Sequence, residues 1–151
     1  FEVRGALEEL AAGLAAERIT EVELEKLEYM LAEIREHIEV EDFDKIVDAD
    51  VRFHETLYMA SRNPRLVEIL HNLREQMMRF RSISLHHPGR LADTWEEHRL
   101  LVEYIAERNI DKARQIARKH IENSEKALLK GIQSNKEAIC FLNSNMVEEE
   151  N

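Results

Sequence analysis

Three histidines and one aspartate occupy positions from which they could bind one metal ion together. Asp50 and His54 are four residues apart on an otherwise mostly apolar stripe, so both side chains face one side of a predicted helix. His98 and His120 lie on the apolar stripes of two further predicted helices. Three helices therefore each turn a histidine toward the same interior.

These four side chains have a simpler interpretation as well as a chemical one. A single inward histidine is usually a core residue, and an Asp-x-x-x-His pair is often only a helical side-chain contact. Four buried polar groups without partners would together cost on the order of several kcal/mol, whereas one shared cation satisfies all of them. Three imidazoles and a carboxylate suit Zn or Ni, with Mn, Co and Fe as further candidates, better than Mg or Ca. Octahedral coordination would leave a position open for a small anion.

The helices that must position these residues can be read from apolar spacing, which is heptad-like from end to end. Thr20 with Glu23 forms a capping box, Asp42 can cap a third helix, and Asn63 with Pro64 marks a helix boundary. Short connections predict an all-α fold, an antiparallel bundle of six to seven helices. The predicted helices cover about 1–18, 21–39, 43–62, 64–85, 91–108 and 111–132, followed by a tail over 133–151 that can add a short helix.

Composition limits the classes of function. The 151 residues suffice for one domain with a sizeable core. Cys140 is the single cysteine and cannot form an internal disulfide, which predicts a cytoplasmic protein. No apolar run approaches the ~20 residues that span a bilayer. Asp and Glu outnumber Lys and Arg by 31 to 21, so we do not expect this chain alone to bind DNA, which requires clustered positive charge.

The residues around the predicted metal ligands resemble a known family. The segment from Asp50 to Pro64, DVRFHETLYMASRNP, is similar to the third-helix motif of the FCD domain. That domain is the effector-binding half of the FadR subfamily of GntR-type transcription regulators. Further similarity lies in Glu97-His98, in Asp111-x-Ala113 followed by His120, and in the opening Phe1-Glu-Val-Arg4 with Leu7-Glu8. The resemblance covers about residues 1–132.

The resemblance implies more than a fold. It implies that Asp50, His54, His98 and His120 are metal ligands and that the bundle forms a homodimer holding a small carboxylate beside the metal. In the family, an amino-terminal winged helix-turn-helix domain binds the operator, and we expect no such domain in this sequence. Residues 1–132 are thus predicted to be the metal- and effector-binding domain.

An organic acid at the metal also needs a cation for its second oxygen or second carboxylate. Arg4 and Arg81 lie on inward faces of their predicted helices, and Asn63 could line the mouth of the pocket. Salt bridges or helix caps explain these three residues equally well. The predicted effector-binding residues are therefore Arg4, Arg81 and Asn63, with both interpretations open.

The sequence favours a sensor domain over an enzyme. A ferritin-like di-iron site needs two Glu-x-x-His motifs and two further carboxylates, whereas only Asp50 accompanies the inward histidines. A mononuclear hydrolase needs a general base, and Glu55 and Glu97 each neighbour a ligand on its helix and should point away from it. A metalloprotein with a structural or catalytic mononuclear site is the alternative.

Overall fold

A computed structural model describes residues 1–148 of the chain, with the backbone alone for residues 78, 79, 81, 82 and 135–148. Six helices account for nearly all of residues 1–148, which confirms the predicted all-α class. No helix in this part of the chain combines the length and apolar character needed to cross a bilayer. The helices are α1 Glu2–Arg18, α2 Glu21–Glu39, α3 Phe43–Ala60, α4 Pro64–Leu85, α5 Arg90–Ala106 and α6 Ile110–Glu148.

The helix starts follow the capping signals of the sequence. At α2, the Thr20 hydroxyl accepts a hydrogen bond from the Glu23 backbone N–H, and the Glu23 carboxylate accepts one from the Thr20 backbone N–H at 3.0 Å. Asp42 caps α3 with its side chain alone, which accepts a hydrogen bond from the Lys45 backbone N–H. Asn63 caps α4, but the left-handed residue at this boundary is Arg62, with φ of 55°, and not Asn63.

The helix α1 lies at the centre of the bundle and contacts α3, α4, α5 and α6. Its small residues permit this position, since Ala11, Ala12, Ala15 and Ala16 are completely buried. Gly13 approaches α6 so closely that a Cβ there would lie 2.4 Å from Arg114 Nε. The helices that carry the predicted ligands, α3, α5 and α6, therefore all pack around α1.

The last helix is longer than predicted. It was expected to end near residue 132, but α6 continues without a break to Glu148. No proline follows residue 132, and the Lys, Glu and Ala at positions 136–138 are good helix formers. The loop before α5, in contrast, ends the preceding helix where expected, and Gly89 adopts the left-handed φ of 79° that glycine tolerates best.

Candidate metal centre

Three histidines from three helices meet in the interior of the bundle. His54 on α3, His98 on α5 and His120 on α6 each offer a ring nitrogen, and these atoms all lie within 4.8 Å of one another. The side chains are buried, with exposed fractions of 2%, 1% and 8%. The ring centroids are 4.8 to 5.5 Å apart. The structure thus brings together the three histidines that the apolar stripes had placed on separate helices.

Asp50 lies beside this cluster, one helical turn before His54. Its Oδ1 atom is 3.6 Å from His98 Nε2 and 3.9 Å from His54 Nε2. The side chain is buried, with 3% of the residue exposed. A carboxylate oxygen and two imidazole nitrogens therefore face one point, and this donor set suits a divalent transition metal.

His54 provides a test of whether a metal fits. Neither of its ring nitrogens has a hydrogen-bond partner, and the nearest carboxylate oxygens are Glu8 Oε2 at 3.7 Å and Asp50 Oδ1 at 3.9 Å. Burial lowers the pKa of His54, although Glu8 raises it in part. A buried, neutral imidazole without hydrogen bonds is costly. A cation bound at Nε2 would satisfy that nitrogen and remove its part of the cost, so the residues present fit a metal ion.

A polar network of Glu97, Arg90 and Asn123 contacts the Nδ1 side of the His120 ring. Its Nδ1 lies 2.7 Å from Glu97 Oε2, and Arg90 donates two hydrogen bonds to the same carboxylate, at 2.8 and 3.0 Å. Asn123 donates a further hydrogen bond to Glu97 at 2.7 Å. Sequence reasoning considered Glu97 only as the neighbour of His98, and it missed that Glu97 contacts His120, a predicted ligand on another helix.

The electrostatics of this network decide which nitrogen of His120 is free. Burial alone would raise the pKa of Glu97, but hydrogen bonds from His120 and Arg90 lower it to about 2. Burial lowers the pKa of His120 to about 4. An ionised carboxylate only accepts hydrogen bonds, so the neutral His120 carries its proton on Nδ1. The lone pair is then on Nε2, where a metal can bind it.

A second carboxylate, Glu8 of α1, lies behind His54. It accepts hydrogen bonds from the Tyr58 hydroxyl at 2.5 Å and from Arg4 Nε at 3.1 Å. Burial alone would raise the pKa of Glu8, but the neighbouring His54, Arg4 and Tyr58 lower it well below its usual value. Sequence reasoning missed this residue as part of the site, although Glu8 lies in the opening segment that resembles the FCD family.

A cleft leads from the histidine cluster toward α1 and α4. Arg4, one of the predicted effector-binding residues, lines this cleft. The side chain of Arg81 lies outside the described residues, and Asn63 caps α4 with its side chain and is not brought to the cleft. The Thr94 hydroxyl has no hydrogen-bond partner there. The cleft is lined by Arg4, Asp50, Phe80, Ser84, Thr94 and His120, among others.

Comparisons with known proteins agree with this architecture. The family model described as the FCD domain matches residues 1–123, which include all four predicted metal ligands. A comparison with curated proteins finds no match. Among solved structures, the chain is similar to E. coli McbR/YncC, a GntR-family regulator, with a TM-score of 0.72 and 23% sequence identity. The match covers 88% of this chain and 66% of that protein, so this chain spans just under two thirds of its length.

Proposed function

Because the chain belongs to the FCD domain family and is a ligand-sensing regulatory domain of that kind, we propose that it senses a small carboxylate through a bound metal ion. The metal is a divalent transition metal, Zn or Ni before Mn, Co or Fe, held by Asp50, His54, His98 and His120. The observation that carries the proposal is the buried cluster of three histidines, in which His54 has no hydrogen bond.

Residues of this chain prepare the site for a metal. Glu97 fixes the ring of His120 by accepting from its Nδ1, and hydrogen bonds of this kind orient metal-ligating histidines in proteins generally. The lowered pKa values of His54 and His120 keep both rings neutral at physiological pH. When bound, the metal would supply a positive charge that attracts an anionic effector.

The effector would occupy the cleft between α1 and α4, where Arg4 offers a guanidinium group. Arg4 donates to Glu8 through Nε, and a guanidinium group has two further nitrogens through which it could bind an acid. Phe80 and Ser84 of α4 line the same cleft. An anion bound between α1 and α4 would shift the equilibrium between two relative placements of these helices. The shift is limited by the difference in the anion's affinity for the two placements.

The regulatory output would be DNA binding by a linked winged helix-turn-helix domain. A homodimer and a cytoplasmic location belong to the same proposal. The domain would not be an enzyme, since the two buried glutamates beside the histidines, Glu8 and Glu97, are held by hydrogen bonds from other side chains, and the pKa values that these contacts lower make both carboxylates weak bases. Neither is placed to act as a general base on a metal-bound water.

The test of the proposal is the metal content of untagged protein purified without chelator, measured by mass spectrometry. We expect about one transition metal per chain in the wild type. His120→Ala should abolish stoichiometric metal binding while circular dichroism shows unchanged helical content. His37→Ala, which changes a histidine outside the cluster, is the matched control. Full metal occupancy in His120→Ala would refute the ligand set.

A thermal-shift screen of small carboxylates on the metal-loaded protein separates sensing from a purely structural site. Sensing predicts that one class of acid raises the melting temperature, because a ligand that binds only the folded state stabilises it. If metal raises the melting temperature and no acid raises it further, the site is a structural metal centre.

A further inference from the structure

A second cleft lies where the N-terminus of α5 meets α6. It has a volume of about 320 Å³, which falls within the range of small-molecule sites in proteins. Pro88 and Arg90 line it at the start of α5, and Asn123, Lys126 and Lys130 line it from α6. No described residue lines both this cleft and the one between α1 and α4. We call it the basic cleft, and it is separate from the position proposed for the carboxylate.

The basic cleft carries an excess of positively charged side chains, although the whole chain has a net charge of −10. Lys126 and Lys130 are four residues apart on α6, so they lie on the same face of the helix. Both are exposed, and neither makes an ion pair with another described side chain. Asp93 is the one carboxylate among the described residues that line the cleft. Two ammonium groups are thus available to an anion.

Arg90 is the buried cation of the basic cleft. It is 3% exposed, and its terminal nitrogens donate to the Glu97 carboxylate at 2.8 and 3.0 Å. Its Nε atom is also buried and has no hydrogen-bond partner in the described part of the chain. Asn123 is held by the same carboxylate at 2.7 Å. Two lining residues are therefore oriented before any ligand binds, which lowers the entropic cost of binding, and one buried donor still lacks an acceptor.

The N-terminus of α5 adds backbone donors at the same place. Its N-cap residue is Gly89, which has no side chain and makes no side-chain cap hydrogen bond. The first N–H groups of a helix have no acceptor within the helix, and the positive end of the helix dipole attracts anions. Pro88 and Arg90, the residues on either side of Gly89, both line the basic cleft. The cleft therefore lies at the helix end that favours negative charge.

We infer that the basic cleft is a second ligand site, which binds the phosphate group of a small phosphate monoester. A phosphate group has three terminal oxygens that accept hydrogen bonds, whereas a carboxylate has two. The additional oxygen lets one group accept from the ammonium groups of α6 and from the N-terminus of α5 together, and both are common phosphate ligands in proteins. The remaining volume of the cleft would hold the esterified part of the molecule. The inference does not depend on a bound metal.

A titration of the metal-free chain, followed through the backbone amide signals of its nuclear magnetic resonance spectrum, tests the inference. The probes are glycerol phosphate, inorganic phosphate and acetate, all at constant ionic strength because salt screens exposed charges. Glycerol phosphate should shift the amide signals of Leu91 and Ala92, in the first turn of α5, with saturation. At these signals it should bind at least about tenfold more tightly than acetate, because it makes additional charge-assisted contacts. Inorganic phosphate should bind between the two.

Two matched pairs of lysine substitutions on α6 separate the cleft from the general charge of the helix. The double variant Lys126→Gln/Lys130→Gln removes two cations from the cleft and should weaken binding of glycerol phosphate at least about tenfold. Lys112→Gln/Lys119→Gln removes the same charge from exposed positions outside the cleft and should leave the affinity unchanged. Circular dichroism should show wild-type helical content in both variants, because all four lysines are exposed.

The outcomes decide between a phosphate site and a generally basic surface. The inference is overturned if the Leu91 and Ala92 signals show no saturable shift, or if acetate or inorganic phosphate binds as tightly as glycerol phosphate. It is also overturned if the Lys126→Gln/Lys130→Gln variant binds glycerol phosphate no more weakly than the control variant. A loss of affinity confined to Lys126→Gln/Lys130→Gln supports it. Because the chain is metal-free in this titration, none of these outcomes changes the case for carboxylate sensing at the metal.

Discussion

Two buried glutamates, Glu97 and Glu8, each lie next to one of the three histidines, but only Glu97 is within hydrogen-bond distance of its histidine. Glu97 contacts His120 directly at 2.7 Å and is fixed by Arg90 and Asn123. Glu8 is 3.7 Å from His54 Nδ1 and is held instead by Arg4 and Tyr58. The ring of His120 is thus fixed before any ligand binds, whereas His54 still lacks hydrogen bonds.

Glu97→Gln should weaken metal binding about 10- to 100-fold, the usual effect of removing an outer partner of a metal-ligating histidine. The amide is neutral and leaves Arg90 without its ionic partner. Competition with a chromogenic chelator would measure the affinity, and the visible spectrum of the cobalt-loaded protein would report a changed ligand geometry. Glu96→Gln, an exposed neighbour paired with Arg99, is the control. Equal zinc affinity in the two variants would show that Glu97 does not position His120.

The sequence could place Asp50, His54, His98 and His120 on inward faces because each lies on an apolar stripe of α3, α5 or α6. It could not identify their partners, because a stripe does not show which helix lies opposite. Glu97 is an example. Adjacent residues on a helix point about 100° apart, so the sequence indicates that Glu97 does not share the direction of His98, but it does not indicate that Glu97 contacts His120 on another helix. Arg74 of α4 is buried, and it could have been found in the sequence because it continues the stripe of Leu66, Leu70 and Met77.

At the scale of the helices, local capping signals were the most reliable part of the sequence. Thr20 and Asp42 cap helices as predicted because each effect depends on residues three positions apart. Asn63, expected as the left-handed end of α3, instead caps the start of α4. The end of α6 was predicted wrongly for the opposite reason, since residues after 132 carry neither a stop signal nor a clear apolar stripe. Helix ends without a glycine or proline signal depend on what the chain contacts.

Thr20→Ala should lower the free energy of unfolding by about 1 kcal/mol, the usual contribution of a helix cap. The substitution removes the hydroxyl that accepts from the Glu23 backbone N–H. Urea denaturation of the metal-free protein would measure the change. Thr20→Ser keeps the hydroxyl and serves as the control. The cap contributes nothing if Thr20→Ala and Thr20→Ser are equally stable.

At the scale of the whole molecule, acid should destabilise the metal-free domain. Burial lowers the pKa of His120 to about 4 from its usual 6.5, so the unfolded chain binds more protons than the folded chain between these values. The stability from this group is complete above pH of about 6.5, falls as the pH decreases, and is lost by about pH 4. The full difference corresponds to roughly 3 kcal/mol.

Urea denaturation in the presence of chelator, from about pH 7.5 to about pH 4.5, would measure this loss. The lowered pKa values of Glu8 and Glu97 add a loss of the same sign below their usual 4.5. His120→Gln should show a shallower dependence on pH above that value, because the titrating imidazole is absent. A wild-type stability that is constant over the range would contradict the buried, neutral state of His120.

The length of α6 has a mechanical consequence. The helix that carries His120 begins at Ile110 and extends about 28 residues beyond the histidine, to Glu148, which at 1.5 Å per residue is about 42 Å. A tilt of about 5° centred on the histidine would displace the far end by about 4 Å. A small change in the position of the His120 ring would thus produce a much larger displacement at the far end of α6, because the helix acts as a long lever.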